Sequence, residues 1–219
     1  MGRVASVTDQ DENTANISST DYSLRLKYIN MGVREWAESY DWQTLYTEYN
    51  MRISTSSGNA SVLLPTDFRK LAGYPAITWD GSTTDLFPEV LPQEDGQYKD
   101  TDKRIWILGN PGDNYTLRVF GVTLVSGASV KVPYYSSPIS LVSPANISEI
   151  PNQDYLVQRT IAYVWEARED PRFPQGKAEA ERILANMIEH ENTFSRAASY
   201  DRVKTVEETK FSDFRWGDN

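Results

Sequence analysis

The hydrophobic period of this chain changes twice, from helical to alternating and back, and neither an all-helical nor an all-β fold accommodates that. Asp21 reads as the cap of a first helix, "YSLRLKYINMGVREWAESYDW". Leu26, Ile29, Val33, Trp36, Ala37 and Tyr40 recur there at spacings of three or four and make one apolar stripe. Arg25, Arg34, Glu35 and Glu38 fall largely off it. From residue 44 to 142, β-branched and aromatic residues instead alternate with polar ones in "TEYNMRIST", "ASVLLP", "YPAITW", "KRIWILG", "YTLRVFGVTL" and "SVKVPYY". The helical period then returns. Asn152 is its expected cap, with Asp154 in the first turn and Leu156, Val157, Ile161, Val164, Trp165 and Arg168 on one face. "EDPRFPQG" interrupts it, because two prolines and a glycine do not continue a helix. A last helix from about Lys177 carries Ala180, Ile183, Leu184, Met187, Ile188 and Phe194.

Helices joined by so short a break pack as an antiparallel hairpin. The stripe of the first helix needs apolar partners, and the hairpin supplies them. The predicted fold is α+β: an antiparallel helical bundle made of the N-terminal helix and the C-terminal hairpin, carrying an inserted antiparallel β module. The expected boundaries are a flexible polar arm at 1–20, the first helix at 21–43, the β module at 44–142, the hairpin at 143–196 and an extended tail at 197–219. Within the β module, residues 80–103 are acidic and broken by prolines, which predicts a protruding loop. "GNPGDN" reads as a hairpin turn; a phosphate loop would continue into Lys-Ser/Thr and a helix, and this one does not.

Composition narrows the function. Hydrophobic residues at 39% suffice for a core, while a formal charge of −9 disfavours general nucleic-acid binding, which needs clustered Lys and Arg. Absent cysteine removes disulfides, zinc ribbons and thiol chemistry. No apolar run suggests secretion or membrane spanning. "MGRVAS" matches a loose myristoylation pattern, and chance explains so short a match. Asn16, Asn59, Asn114 and Asn146 open glycosylation triplets that would matter only in a secreted protein.

The single histidine, His190, lies between Glu189 and Glu191, which a helix turns to other sides, so it reads as a surface residue and not a metal ligand. The expectation is no catalytic, cofactor or metal site. Two readings remain beside it. Paired carboxylates among 31 acidic residues would make a hydrolase that loses activity on one Asp or Glu change. Trp79, Trp106, Tyr98 and Tyr115 could stack on sugars as a carbohydrate-binding β module on a helical stalk.

Three segments, in order, resemble the head-to-tail adaptor (connector) proteins of tailed bacteriophages. "YINMGVREWAESYDW" is similar to their first helix, with its Ile-Asn-x-x-x-Arg-Glu and closing aromatics. "VLLPTDFRKL" resembles the strand that follows, and "YYSSPISLVSPANISEIPNQDYLVQRTIAYVWEA" the segment closing the β module. The likeness spans residues 28–194, and the stretch 80–103 is less typical of it. It implies a non-enzymatic virion protein, found in the host cytoplasm during assembly and then at the head–tail junction. Its partners would be copies of itself in a ring, commonly twelvefold, then the portal protein and a downstream tail, nozzle or stopper protein. DNA would pass through the ring without sequence-specific binding. A neighbouring neck or stopper component of the same particle would share these features.

The chain ends in "KFSDFRWGDN". Aromatics and Arg are the residues most enriched at interface hot spots, so Phe211, Phe214, Arg215 and Trp216 are the candidate partner-binding residues. In several adaptors such an extension docks onto the portal, and the resemblance implies the same here. The competing expectation is that Phe211 and Trp216 fold back onto their own helices.

Overall fold

A computed structural model of the chain describes residues 19–53, 61–109, 114–125, 127–143 and 146–211. It is mixed α+β with antiparallel sheets, and it divides into two compact units: residues 1–40 with 139–219, and residues 41–138.

Helix α1 (Ser19–Ser39) begins before the expected cap, so Asp21 sits inside its first turn, where an acid still favours the helix dipole. Val33, Trp36 and Ala37 of the apolar stripe are buried, while Leu26, Ile29 and Tyr40 are half-buried. Helix α2 (Gln153–Ala167) is capped by Asn152, whose side chain accepts the Asp154 amide at 2.9 Å. It buries Leu156, Ile161 and Val164 from the expected face, and also Tyr155, Thr160 and Ala162. Thr160 is satisfied locally by donating to the Leu156 carbonyl at 2.7 Å.

Helix α3 (Phe173–Phe211) starts four residues earlier than expected. Pro174 falls in its first turn, where a missing N–H costs nothing because those donors have no intrahelical acceptor. Gly176 is required by close approach. A Cβ there would lie 2.8 Å from the Trp165 ring, so any other residue would push α2 and α3 apart. The larger difference is at the other end. The helix continues to Phe211, through the stretch expected to be an extended tether. Its Ala, Glu, Lys and Arg residues have good helix propensity even where the apolar period fades.

The second unit packs two antiparallel sheets around one core. The strands are β1 (Tyr46–Arg52), β2 (Ser61–Leu63), β3 (Phe68–Leu71), β4 (Ala76–Thr78), β5 (Thr84–Leu86), β6 (Arg104–Leu108), β7 (Thr116–Phe120) and β8 (Ser129–Ser136). One sheet runs β1-β8-β4-β5, with β3 also on β8; the other runs β2-β7-β6. Alternate residues point inward: Val130, Val132 and Tyr134 from β8, Leu117 and Val119 from β7, Ile105 from β6. Pro133 lies in the middle of β8, where a proline normally fails. It falls where the pairing of β8 passes from β3, which ends opposite Tyr134, to β4, which begins opposite Lys131. The antiparallel β6–β7 pair agrees with the hairpin reading, though the turn at 110–113 lies outside the described residues.

The acidic stretch 80–103 is not simply a protruding loop. It contributes β5 to a sheet edge and a 3-10 helix at Pro92–Gln97, and it sends Phe87 and Val90 into the interior. Those two apolar residues outweigh the acidic character around them, because each gains roughly 1.5–3 kcal/mol on burial.

Candidate functional site

In the β unit, the site-like residues serve the fold. Arg104, only 3% exposed, donates through Nε to Asp95 Oδ1 at 2.7 Å and through Nη1 to the carbonyls of Lys99 and Asp102 at 3.0 and 2.9 Å. Its guanidinium also lies 5.2 Å from the Phe120 ring centre, a cation–π contact. One buried cation thus fastens three points of the acidic stretch. Gly121, at φ +80°, lets the chain turn directly beneath the Asp102 carbonyl, where a Cβ would overlap backbone.

The aromatics that could have stacked on sugars are engaged as well. Trp79 donates to Asp85 at 2.9 Å and lies under the Lys103 ammonium, which itself pairs with Asp85. Trp106 packs on Phe120 and Tyr115 on Phe68, with ring centres 4.4 and 5.3 Å apart. Tyr98 is the most exposed of the four, beside Arg104. Asp80 accepts bonds from Ser82 and Thr83, and these hold its carboxyl well below the usual range. That is a turn lock. Among the described residues no group of three His, Asp or Glu side chains could hold a metal, and His190 is exposed on α3.

The helical unit exposes apolar surface. Asn30 and the Leu141 backbone exchange two 2.8 Å hydrogen bonds, which fixes the segment leading into α2. Asn146 accepts from the amides of Val142 and Ser143, and Glu149 from that of Ile139. This tied-down loop exposes large apolar groups: Ile139 at 63%, Val142 at 72% and Ile147 at 82%. Beside Ile147, a groove of about 270 Å³ runs between Tyr22, Leu26 and Ile29 of α1 and Leu156 and Val157 of α2. Among the described residues no charged side chain lines it. Such a surface suits apolar side chains of a partner.

The segments that carried the resemblance are joined in space. Glu35 accepts both Arg159 Nε and Nη2, at 2.6 and 2.7 Å, and also the Tyr163 hydroxyl at 2.8 Å. In the β unit, Asp67 of "LPTDF" accepts the Tyr134 hydroxyl of "YYSSP" at 3.1 Å, and the Ser137 amide donates to the Asp67 carbonyl at 2.6 Å. Sequence reasoning singled out Asn30, Glu35 and Asp67 only through those motifs. It missed Arg104 and Arg159, since an arginine, whether beside Lys103 or alone, gives no sign of burial in sequence. The expected partner-binding residues are not brought together: Phe211 closes α3, and Phe214, Arg215 and Trp216 lie outside the described residues.

Each unit is tied by one largely buried arginine, Arg159 or Arg104, paired with a partly exposed carboxylate, and the helical unit holds apolar groups out to solvent. The model of the SU10 adaptor protein family matches residues 1–206. The chain belongs to that family of phage head–tail adaptors and is a structural protein of the phage neck. No curated protein matches it. Among the described residues no helix is long and apolar enough to cross a membrane.

Proposed function

We propose that this chain is the subunit of a ring, twelvefold in the commonest arrangement, that joins the portal protein of a tailed-phage capsid to the tail and lines the DNA channel. The observation that carries the reading is the family match, which extends over residues 1–206 and so takes in both units. The helices act as an antiparallel bundle that frames the ring, with the β module inserted to meet neighbouring or downstream components. The net charge of −9 suits a channel wall along which DNA slides without adhering, because like charges repel. Basic residues facing the lumen would contradict that assignment. The protein acts by contact and needs no cofactor.

At the far end, Phe211, Phe214, Arg215 and Trp216 form the portal-docking segment. Helix α3, 39 residues long, is a spacer that presents it. At about 1.5 Å per residue, such a helix reaches on the order of 60 Å.

The test is electron microscopy of the protein mixed with the portal protein of the same phage. Portal particles that gain a second, collar-like ring are the expected result. Bare portals beside free subunits would move the protein to a lower neck or stopper position, and absence of any portal gene from the genome would end the reading.

A further inference from the structure

Resting on the ring reading, we infer that the outward faces of α1 and α3 are the two halves of one side-to-side contact, so that α1 of one copy lies along α3 of the next. Both helices pack on α2, but on different faces of it. Arg159 and Tyr163 of α2 meet Glu35 and Tyr28 of α1, whereas Ala162 and Trp165 meet the Gly176 turn of α3. Each flanking helix therefore keeps a stripe turned away from its own buried residues.

On α1 that stripe is Leu24, Lys27, Met31, Arg34 and Glu38, all exposed, at helical spacings of three and four. Leu24 is 44% and Met31 37% exposed, unusual for large apolar side chains that repeat along one line. On α3 the matching stripe is Ala178, Glu181, Ala185 and Glu189, also exposed. One stripe is bulky and basic over most of its length, and the other is small and acidic.

The two fit in one register. With the helices parallel, Leu24 faces Ala178, Lys27 faces Glu181, Met31 faces Ala185 and Arg34 faces Glu189. Large side chains then fill the space left by alanines, and both cations meet carboxylates. An antiparallel register would also set Lys27 against Glu189 and Arg34 against Glu181, but it carries Leu24 past Glu189, the last residue of the α3 stripe. The parallel direction is also what a ring imposes. Along α2, Glu35 of α1 meets Arg159 while Tyr28 meets Tyr163, so α1 runs against α2; α3 turns back on α2 after a short connection. Hence α1 and α3 of one chain run the same way, and rotation about a ring axis keeps neighbouring copies in that sense. Among the described residues, Lys27, Arg34 and the Glu189 carboxylate have no ion-pair partner inside the chain, and Glu181 only approaches Lys177 at 3.8 Å. The contact joins two different faces, the heterologous kind that closes rings.

The chain has no cysteine, so a disulfide trap reads the contact without background. Under mild oxidation, with the portal protein present as template, Met31→Cys alone and Ala185→Cys alone stay uncross-linked. Their mixture yields dimers, and the double variant yields a ladder of oligomers. Separately, Lys27→Glu with Arg34→Glu lowers ring yield about tenfold or more, and mixing with Glu181→Lys, Glu189→Lys protein restores it. Dimers from Met31→Cys alone would overturn the proposal in favour of an α1–α1 contact. Rings seen by microscopy without the ladder would overturn it while leaving the ring reading intact. No ring and no cross-link, with or without portal, would overturn both.

Discussion

Arg159 of α2 grips Glu35 of α1 through two parallel hydrogen bonds of 2.6 and 2.7 Å, residues 124 positions apart in sequence. The pair is asymmetric in exposure, with 12% of the Arg159 side chain and 40% of Glu35 accessible. Arg159 also lies over the Tyr163 ring at 4.6 Å, and Tyr163 stacks on Tyr28. The Arg–Glu fork thus sits at the centre of the α1–α2 contact, where planarity gives geometry as well as energy.

Removing the carboxylate should therefore cost more than removing an ordinary surface ion pair. Glu35→Ala leaves Arg159 and the Tyr163 hydroxyl unsatisfied, and about 1–3 kcal/mol of stability is expected to be lost, discounted for the solvent that reaches Glu35. Arg159→Lys, which cannot form the fork, should recover less than half of the coupling in a double-mutant cycle. A cycle with no coupling energy would make the pair incidental.

The Arg104 clamp makes a prediction about local order. Arg104→Met keeps the volume but removes all three polar ties to residues 95–102. Limited proteolysis should then cut within 92–103, at sites resistant in the parent protein, and stability should fall by about 2–4 kcal/mol. Unchanged cleavage would show that Phe87 and Val90 alone hold the stretch down.

The same stretch shows how far the sequence could be read. All six runs with clear alternation became strands, and both C-terminal helices and the Asn152 cap were legible, because period and capping act locally. By alternation, strands β3 and β5 were not, although the resemblance took in the β3 residues. "FRKL" and "TDL" are too short and polar to register alone, and they exist because β8 and β4 offer them pairing partners. Residues 80–103 looked like solvent-borne loop because their charge is visible while the burial of Arg104, Phe87 and Val90 is decided by distant residues. On α1 the inward stripe was legible, whereas Leu24 and Met31 had no place in it. Leu24 and Met31 resemble core residues until Val33, Trp36 and Ala37 are found to have taken the inward side.

Alkaline pH should separate the tyrosines. Tyr134 is 5% exposed and donates to Asp67; burial, then that hydrogen bond, push its hydroxyl up to about 12. Tyr155 is raised further, chiefly by burial and then by Glu35. The folded state thus favours the neutral phenols. Their stabilisation is complete below the unfolded value of about 10 and is lost as pH rises through the folded value. In a spectrophotometric titration, Tyr134 and Tyr155 should ionise only together with loss of circular dichroism. Ionisation of both near pH 10 in a protein that keeps its circular dichroism would contradict their burial.

Deleting residues 209–219 discriminates between the two fates of the aromatic ending. Helix α3 already extends to Phe211, well past Asn192, where Tyr40 of the segment after α1 donates at 2.7 Å. From there a short peptide would have to double back along the helix to reach its own unit. Docking onto a partner therefore predicts an unchanged melting temperature and loss of portal binding. Trp216→Ala or Phe214→Ala alone should weaken that binding by about tenfold or more, as expected of hot-spot aromatics. Fold-back predicts the reverse: portal binding retained and melting lowered by about 4 °C or more, since a chain of this length loses roughly 2–4 °C per kcal/mol.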